Sequence, residues 1–371
     1  MEEHLVGIRA SIAVMPGDGV GPEIISEATK TLAAIADRYG HTFDTFDVAI
    51  GGAAIDSFGV PLRPEDLAQC QQADAVLLGA VGGPKWDKVE VARRPERGLL
   101  ALRKGMGLYA NLRPVAVSES LIDTSPIKPE LVRGVDVMVV RELTGGVYFG
   151  KPSKQWRERR GRAAVDTMIY REHEIERVTR LAFELARGRR NKVTSVDKAN
   201  VLATSRLWRD IVNSVAADYP DVELEHVLVD AMAMYLVRQP ARYDVVVLEN
   251  MFGDILTDEA SVIAGSIGLL PSASIGAPHG SQGRRRGVFE PIHGSAPDIA
   301  GQGRANPTGT IMSLAMLLRL ALGLNDEATV IEQAVYATIA RGIRTPDIAE
   351  ASGAAVSTSA FGDAVAAEIG A

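Results

Sequence analysis

Strand-like and helix-like segments alternate along almost the whole chain, and this rhythm constrains the fold more than any other feature. Apolar runs at 11–15, 43–48, 75–78, 135–141, 193–196, 224–229 and 245–248 read as strands, and 111–115 reads as an extended piece. Stretches at 24–39, 99–104 and 174–187 read as helices, the first opened by Pro22 at a favoured first-turn position. An apolar helix is expected over 305–320, opened by Asn306-Pro307. Alternation of this kind means an α/β fold with largely parallel sheets, because parallel strands need crossover connections. With 371 residues the chain is too long for one simple core, so two domains are expected. Two stretches break the rhythm. Residues 151–166 form a polar, basic insert poor in helix signals, and the Gly/Pro/Ser/Arg stretch 271–287 reads as a loop leading to strand-like 287–289.

The formal net charge of −7, with only short basic clusters at 157–162 and 284–286, argues against nucleic acid as a primary partner. The single cysteine, Cys70, cannot form an intrachain disulfide, which fits a reducing cytosol. No apolar segment follows a basic start and no run approaches a membrane span, so a soluble, cytoplasmic protein without a membrane partner is expected.

Several motifs carry candidate chemistry. In LENMFGDILTDEA (248–260), Gly253 reads as a turn after the strand, and Asp254 and Asp258 follow at a spacing that puts both on one helical face. Two such carboxylates repel unless a cation or proton lies between them, although a solvated helix N-terminus also favours acids. Asp230 closes the strand of HVLVDAMAM as a third candidate ligand, and an oxygen-only set points to Mg²⁺ or Mn²⁺ rather than zinc. Arg103, Arg113 and Arg141 recur in ALRKG, ANLRP and VVREL; three arginine forks suit a di- or tricarboxylate, where scattered surface arginines are the plainer reading. Tyr148 follows the Gly145-Gly146 turn and is a candidate proton donor. Lys198 stands at a strand end in VDKANVL, where a lysine enclosed in a site can act as a base. PGDGVGPE (16–23) sits between a strand and a helix, but its glycines alternate every second residue and miss the G-x-G-x-x-G spacing of a Rossmann fingerprint. HGSAPDIAGQGRANP (293–307) is a Gly-rich loop that can present backbone N–H groups to a nucleotide, and Asp298 there suits a ribose diol and repels a 2′-phosphate.

Taken in order, PGDGVGPE, GPKWD, LRK, NLRP, RELTGGVYFG, DKANVL, ENMFGDILTDEA and HGSAPDIAG resemble the isocitrate/isopropylmalate dehydrogenase family of β-decarboxylating dehydrogenases, and the resemblance covers nearly the whole chain. It implies a two-domain α/β fold that is not an ordinary Rossmann fold, with a first domain of 1–108 plus 265–371 and a second of 109–264 around a cleft. It implies a homodimer clasped by an arm near 149–170, with Lys198 and Asp230 reaching the partner's site. By the same resemblance Arg103, Arg113 and Arg141 hold substrate carboxylates, Tyr148 protonates an enol and Lys198 helps to deprotonate the hydroxyl. Asp230, Asp254 and Asp258 hold Mg²⁺ or Mn²⁺, with Asp230 also beside the substrate. His293, Gly294, Ser295, Ala296, Asp298 and Asn306 bind the cofactor, and Asp298-Ile299 stands where NADP-dependent relatives carry lysine and tyrosine, which implies NAD. Leu99 and Leu100, with Val201 of the partner subunit, make an apolar wall suited to an isopropyl group, and Glu96 repels an extra carboxylate. The implied reaction is oxidative decarboxylation of 3-isopropylmalate to 2-oxo-4-methylpentanoate. Tartrate or D-malate is the alternative substrate. A non-catalytic subunit of this family should lack the tyrosine, the lysine or a metal aspartate, and this chain keeps them all.

Overall fold

The computed structural model describes residues 7–279, 283–350 and 353–370. Its strands are β1 (Arg9–Gly17), β2 (Thr42–Asp47), β3 (Ala75–Ala80), β4 (Ala110–Ala116), β5 (Asp136–Glu142), β6 (Lys154–Glu158), β7 (Gly161–Val165), β8 (Lys192–Asp197), β9 (Glu223–Leu228), β10 (Val245–Leu248), β11 (Pro271–His279) and β12 (Arg284–Pro291). The chain divides into two compact units, one of residues 1–108, 118–124 and 264–371, the other of 109–117 and 125–263. Boundaries at 108/109 and 264/265 alone would leave 118–124 in the second unit. The segment groups with the first, where Arg344 Nη2 donates to the Ser120 carbonyl at 2.8 Å.

In the first unit the strand order is β2-β1-β3-β12-β11. β1 runs parallel to β2 and β3, β3 parallel to β12, and β12 antiparallel to β11. Every residue of β3 is buried, as expected for a parallel strand covered on both faces. Ala13, Met15, Val76, Leu78 and Val288 pack with Leu102 of the helix Pro95–Gly105 and with Cys70. Burial pushes the Cys70 thiol up to about 12, so it is a packing residue without thiolate character at neutral pH.

The stretch expected as a loop over 271–287 is instead most of an antiparallel hairpin, β11 with β12; residues 280–282 of it lie outside the described residues. Its Ser and Gly content hid the strand. Ser272 and Ser274 are buried with Ala273 and Ile275, Pro271 sits at the first strand position, and a Cβ on Gly287 would lie 2.7 Å from the Ser274 carbonyl. The apolar helix is shorter than expected, Thr308–Leu317 followed by a π turn, with Asn306 ahead of it, accepting the Thr308 N–H at 3.0 Å.

In the second unit the order is β4-β5-β10-β8-β9, with β4 antiparallel to β5 and the other pairs parallel. The parallel strands end in one row: Leu248 lies opposite both Arg141 and Val196, and Asp197 opposite Leu228. Arg141, Lys198 and the starts of the helices Val229–Arg238 and Asn250–Ile263 therefore share one carboxyl edge, the usual ligand-binding edge of an open α/β sheet. The basic insert folds as an exposed two-stranded hairpin, β6 with β7. No helix among the described residues is long and apolar enough to cross a membrane.

Candidate active site

Asp254 and Asp258 both lie in the helix Asn250–Ile263, one turn apart. Glu249 caps that helix, its carboxylate accepting the Phe252 and Met251 N–H groups at 2.8 and 3.1 Å. Gly253 does not turn the chain. It is helical, and its missing side chain makes room for Arg141, whose Cγ would lie 2.5 Å from an added Cβ.

Two buried arginines face this helix. Arg113 and Asn111 share one face of β4, being two residues apart, and Arg113 Nε donates to Asn111 Oδ1 at 2.7 Å. Its Nη1 donates to Thr257 Oγ1 at 2.6 Å and lies 3.5 Å from Asp258 Oδ1. Arg141 donates from Nε and Nη2 to the single oxygen Asn250 Oδ1, at 3.1 and 2.8 Å, and from Nη1 to Asp254 Oδ1. Tyr148 Oη donates to the other Asp254 oxygen at 2.8 Å. Burial raises the Asp254 pKa, but the Arg141 charge, the Tyr148 hydrogen bond and the Arg113 charge outweigh it and hold the carboxyl below its usual range. Partial burial and the Asp254 carboxylate push the Tyr148 phenol up to about 12, so at neutral pH it carries a proton it can donate.

Lys198 and Asp230 form a separate ion pair, Nζ to Oδ1 2.8 Å, which lowers the Asp230 pKa. Among the described residues no three His, Cys, Asp or Glu side chains gather as a metal-holding group. The Asp254–Asp258 pair still suits a hard divalent cation. Its donors are carboxylate oxygens, and the two side chains are 39 % and 66 % exposed. The helices bearing Asp230, Asp254 and Asp258 also expose Met234, Val237, Ile255 and Val262.

The first unit carries the other candidates. Arg103 Nη2 donates to Glu290 Oε1 at 2.7 Å. On the same helix Leu99 packs against the core, Leu100 is half-buried, and Glu96 is exposed, with Oε1 2.9 Å from where a Gly82 Cβ would be. Val201, in the second unit, is exposed. The 293–296 loop is moored to PGDGVGPE, since Val20 N–H donates to the Ser295 carbonyl at 2.8 Å. Gly19 takes a φ of 60° there, and a Cβ on it would lie 1.9 Å from that carbonyl. Gly294 is open, and Ala296 holds a φ of 38°, rare for a residue with a Cβ. His293 Nδ1 lies 2.8 Å from the Gly294 carbonyl, which can only accept, so Nδ1 holds the proton and Nε2 is an acceptor. Nε2 is buried without a hydrogen-bond partner, and burial lowers the ring's pKa and keeps it neutral. An unpartnered buried acceptor beside open backbone suits a nucleotide. Asp298 is exposed, and Asn306 is buried, with its amide donating to Asp347 Oδ2 at 3.0 Å.

Motif reading missed three residues. Asp18 is buried and accepts the Gly52, Ala53 and Gly82 N–H groups, each at 2.8 Å. Asn250 and Glu249 hold the start of the aspartate helix. Only the clustering of polar residues next to a strand end signalled them.

These elements meet known proteins along nearly their whole length. The chain belongs to the isocitrate/isopropylmalate dehydrogenase family, which matches residues 11–365. A solved isocitrate dehydrogenase from Methylococcus capsulatus superposes with a TM-score of 0.84 at 34 % identity, covering 98 % of this chain and 100 % of its own. A β-decarboxylating dehydrogenase from Thermococcus kodakarensis gives 0.77 at 36 %, covering 97 % and 96 %. Within the family, the 3-isopropylmalate dehydrogenase of Anaeromyxobacter dehalogenans is 57 % identical over 358 residues, 96 % of this chain and 99 % of its own. That of Geobacillus kaustophilus is 57 % identical over 348 residues, 94 % and 92 %.

Proposed function

We propose that this enzyme oxidatively decarboxylates (2R,3S)-3-isopropylmalate to 2-oxo-4-methylpentanoate with reduction of NAD⁺, a step of leucine biosynthesis in the cytoplasm. The observation that carries the chemistry is the second-unit cluster, where a protonated phenol, an ionised carboxylate and two buried arginines meet at the strand ends. Arg113 and Arg141, with Arg103, bind the substrate's carboxylates as charge-assisted forks. Lys198 of the partner subunit removes the hydroxyl proton. Tyr148 gives its proton to the carbon that has lost CO₂. Asp254 and Asp258, with Asp230 of the partner subunit, hold Mg²⁺ or Mn²⁺. When bound, the cation supplies a Lewis acid for the substrate oxygens and NAD⁺ supplies the hydride acceptor. His293 Nε2 accepts from the adenine amine, the open backbone at Gly294–Ala296 faces the cofactor, and Asp298 meets the ribose diol.

A homodimer is part of this reading. The apolar side chains Met234, Val237, Ile255 and Val262 stand on the very helices that bear the metal aspartates, which suits a second copy of the chain. The hairpin of β6 and β7 clasps that partner. Leu100 and Val201 of the partner subunit take the isopropyl group, and Glu96 rejects a further carboxylate. Leu99 contributes less to this wall, because it is committed to the core.

The test is NADH formation from 3-isopropylmalate with NAD⁺ and NADP⁺, with and without chelator, beside D-malate. The reading requires a preference for 3-isopropylmalate and NAD⁺, loss with chelator, and recovery with Mg²⁺ or Mn²⁺. A higher kcat/KM on D-malate would overturn the substrate assignment.

A further inference from the structure

A side chain that none of the chemistry above employs lies between two groups that the chemistry needs. Asn250 is 1 % exposed and begins the aspartate helix, with one residue, Glu249, between it and the end of β10. Its amide is used from both ends. Oδ1 accepts both Nε and Nη2 of Arg141, at 3.1 and 2.8 Å, and Nδ2 donates to the Gly145 carbonyl at 3.2 Å. Gly145 opens the turn that leads to Tyr148. The backbone N–H of Asn250 donates to Tyr170 Oη at 2.9 Å, and Tyr170 Oη donates to Glu249 Oε2 at 2.9 Å. Tyr170 in turn lies under the same turn, where a Cβ on Gly146 would be 2.6 Å from its Oη. The far side of the turn is held by Glu142, whose carboxylate accepts the Thr144 and Gly145 N–H groups at 2.8 and 2.7 Å.

We propose that Asn250 is a positioning residue that sets the Arg141 fork and the Tyr148 turn in one geometry, coupling the carboxylate binder to the proton donor. This rests on the functional reading above, in which Arg141 binds substrate and Tyr148 protonates the carbon. The physical argument is one of alternatives. A guanidinium holds its donors in fixed directions in one plane, so a single acceptor that takes Nε and Nη2 together fixes the plane and aims Nη1 at Asp254. The turn 144–150 contains three glycines and is held at its base by Glu142 and by the Ile169 carbonyl, which accepts the Gly146 N–H at 2.9 Å; Asn250 joins this base through the Gly145 carbonyl. Asn250 holds Arg141 through two bonds and the turn through one, from a single rigid amide at a helix start.

The variant is Asn250→Leu, which keeps the size and removes both arms. Steady-state kinetics on 3-isopropylmalate are run with NAD⁺ affinity and melting temperature alongside. Loss of a hydrogen bond to a charged group is expected to raise the substrate KM about tenfold or more, with kcat falling as well. NAD⁺ affinity, which depends on the first unit, stays within about twofold by the additivity expected of separate sites. The second readout is the product made in D₂O. A fixed Tyr148 delivers deuterium to one face of the carbon that lost CO₂, and a loosened one lets the enol escape and take deuterium on both faces. Stereorandom deuterium therefore reports the Tyr148 arm, and the KM reports the Arg141 arm. An unchanged KM with deuterium on one face overturns the proposal, and so does a fall in kcat alone with both readouts as in the parent enzyme. If Asn250→Leu does not fold, Asn250→Ser is read in the same way, since its short hydroxyl reaches neither partner. A parent enzyme that makes no NADH from 3-isopropylmalate would overturn the functional reading instead, before any variant is compared.

Discussion

Gly253→Ala separates the architecture of the site from the stability of the fold. The added Cβ would lie 2.5 Å from Arg141 Cγ, 2.9 Å from its Cβ and 3.0 Å from its Cδ. Carbon atoms pack comfortably at about 3.5–4.0 Å, so the overlap is close to 1 Å. Arg141 cannot relieve it by moving its tip, because the crowded atoms are at the root of the side chain. Its guanidinium is also pinned by Asn250 and Asp254. Overpacking of this kind costs about 1–3 kcal/mol. Replacing a helical glycine by alanine returns up to about 1 kcal/mol, Gly253 lying in the first turn. The net loss is about 0–3 kcal/mol, against about 5–15 kcal/mol for a typical domain, so the variant stays folded. Activity is different, since a displacement of about 1 Å in a substrate-positioning group costs on the order of 100-fold. The assay pairs kcat/KM from NADH absorbance with a chemical melt of the same preparation. A variant that loses stability but keeps kcat/KM within about threefold would refute the reasoning, because the helix rather than Arg141 would then have absorbed the overlap.

Tyr148→Phe removes the phenol proposed to protonate the carbon and is expected to lower kcat by about 10²–10⁴-fold, with NAD⁺ affinity, read by fluorescence titration, unchanged. Asp18→Asn leaves one oxygen for three backbone N–H groups and should cost about 1–3 kcal/mol in urea unfolding; a loss below the error of the fit would mean the turn is held by other contacts. The folded pKa of Asp254 lies below its unfolded value, so its ionisation favours the fold above the unfolded range and the contribution is lost as pH falls through the depressed value. Asp254→Asn should therefore flatten the acid side of the melting profile in that window, and an unchanged profile would rule this out. Mn²⁺ binding, followed by its electron spin resonance, should tighten about 5–150-fold when 3-isopropylmalate is present, and equal affinity with and without substrate would count against the charge exchange argued below.

How much of this was legible in the sequence depended on the range of each interaction. The spacing of Asp254 and Asp258 is local and periodic, so one helical face could be read directly. Arg141 at a strand end and Tyr148 after two glycines were legible for the same reason. The α/β class followed from the alternation of segments. Gly253 was misread because its reason is a neighbour 112 positions away along the chain, at Arg141. The β11 strand was missed because Ser272, Ser274 and Pro271 carry weak strand preference, and only pairing with β12 makes them a strand. Asp18 and Asn250 look like turn residues in sequence, and their hydrogen bonds go to Gly52, Gly82, Arg141 and Gly145, none of which a periodicity argument can supply.

The charges of the second-unit cluster explain why such a site is stable before it binds anything, and what binding must change. Arg113 and Arg141 are both buried, and an unpaired buried guanidinium is strongly unfavourable. Asp254 and Asp258 answer them, through Arg141 to Asp254 and through Arg113 to Asp258 at 3.5 Å. Those same carboxylates are the ones that suit a divalent cation. On the proposed reading, drawing them toward a cation withdraws anionic charge from the arginines and favours a new anion beside them. Carboxylates of the substrate are the natural replacement, since both arginines present forks that match them. On the same reading, substrate binding in turn frees the aspartates for the cation. Each ligand thus completes the charge balance that the other disturbs, and by linkage the help must be equal in both directions. On the proposed reading the cluster of arginine, aspartate and tyrosine is a pre-paired set whose partners are exchanged on binding, rather than an anion site and a cation site that happen to be adjacent.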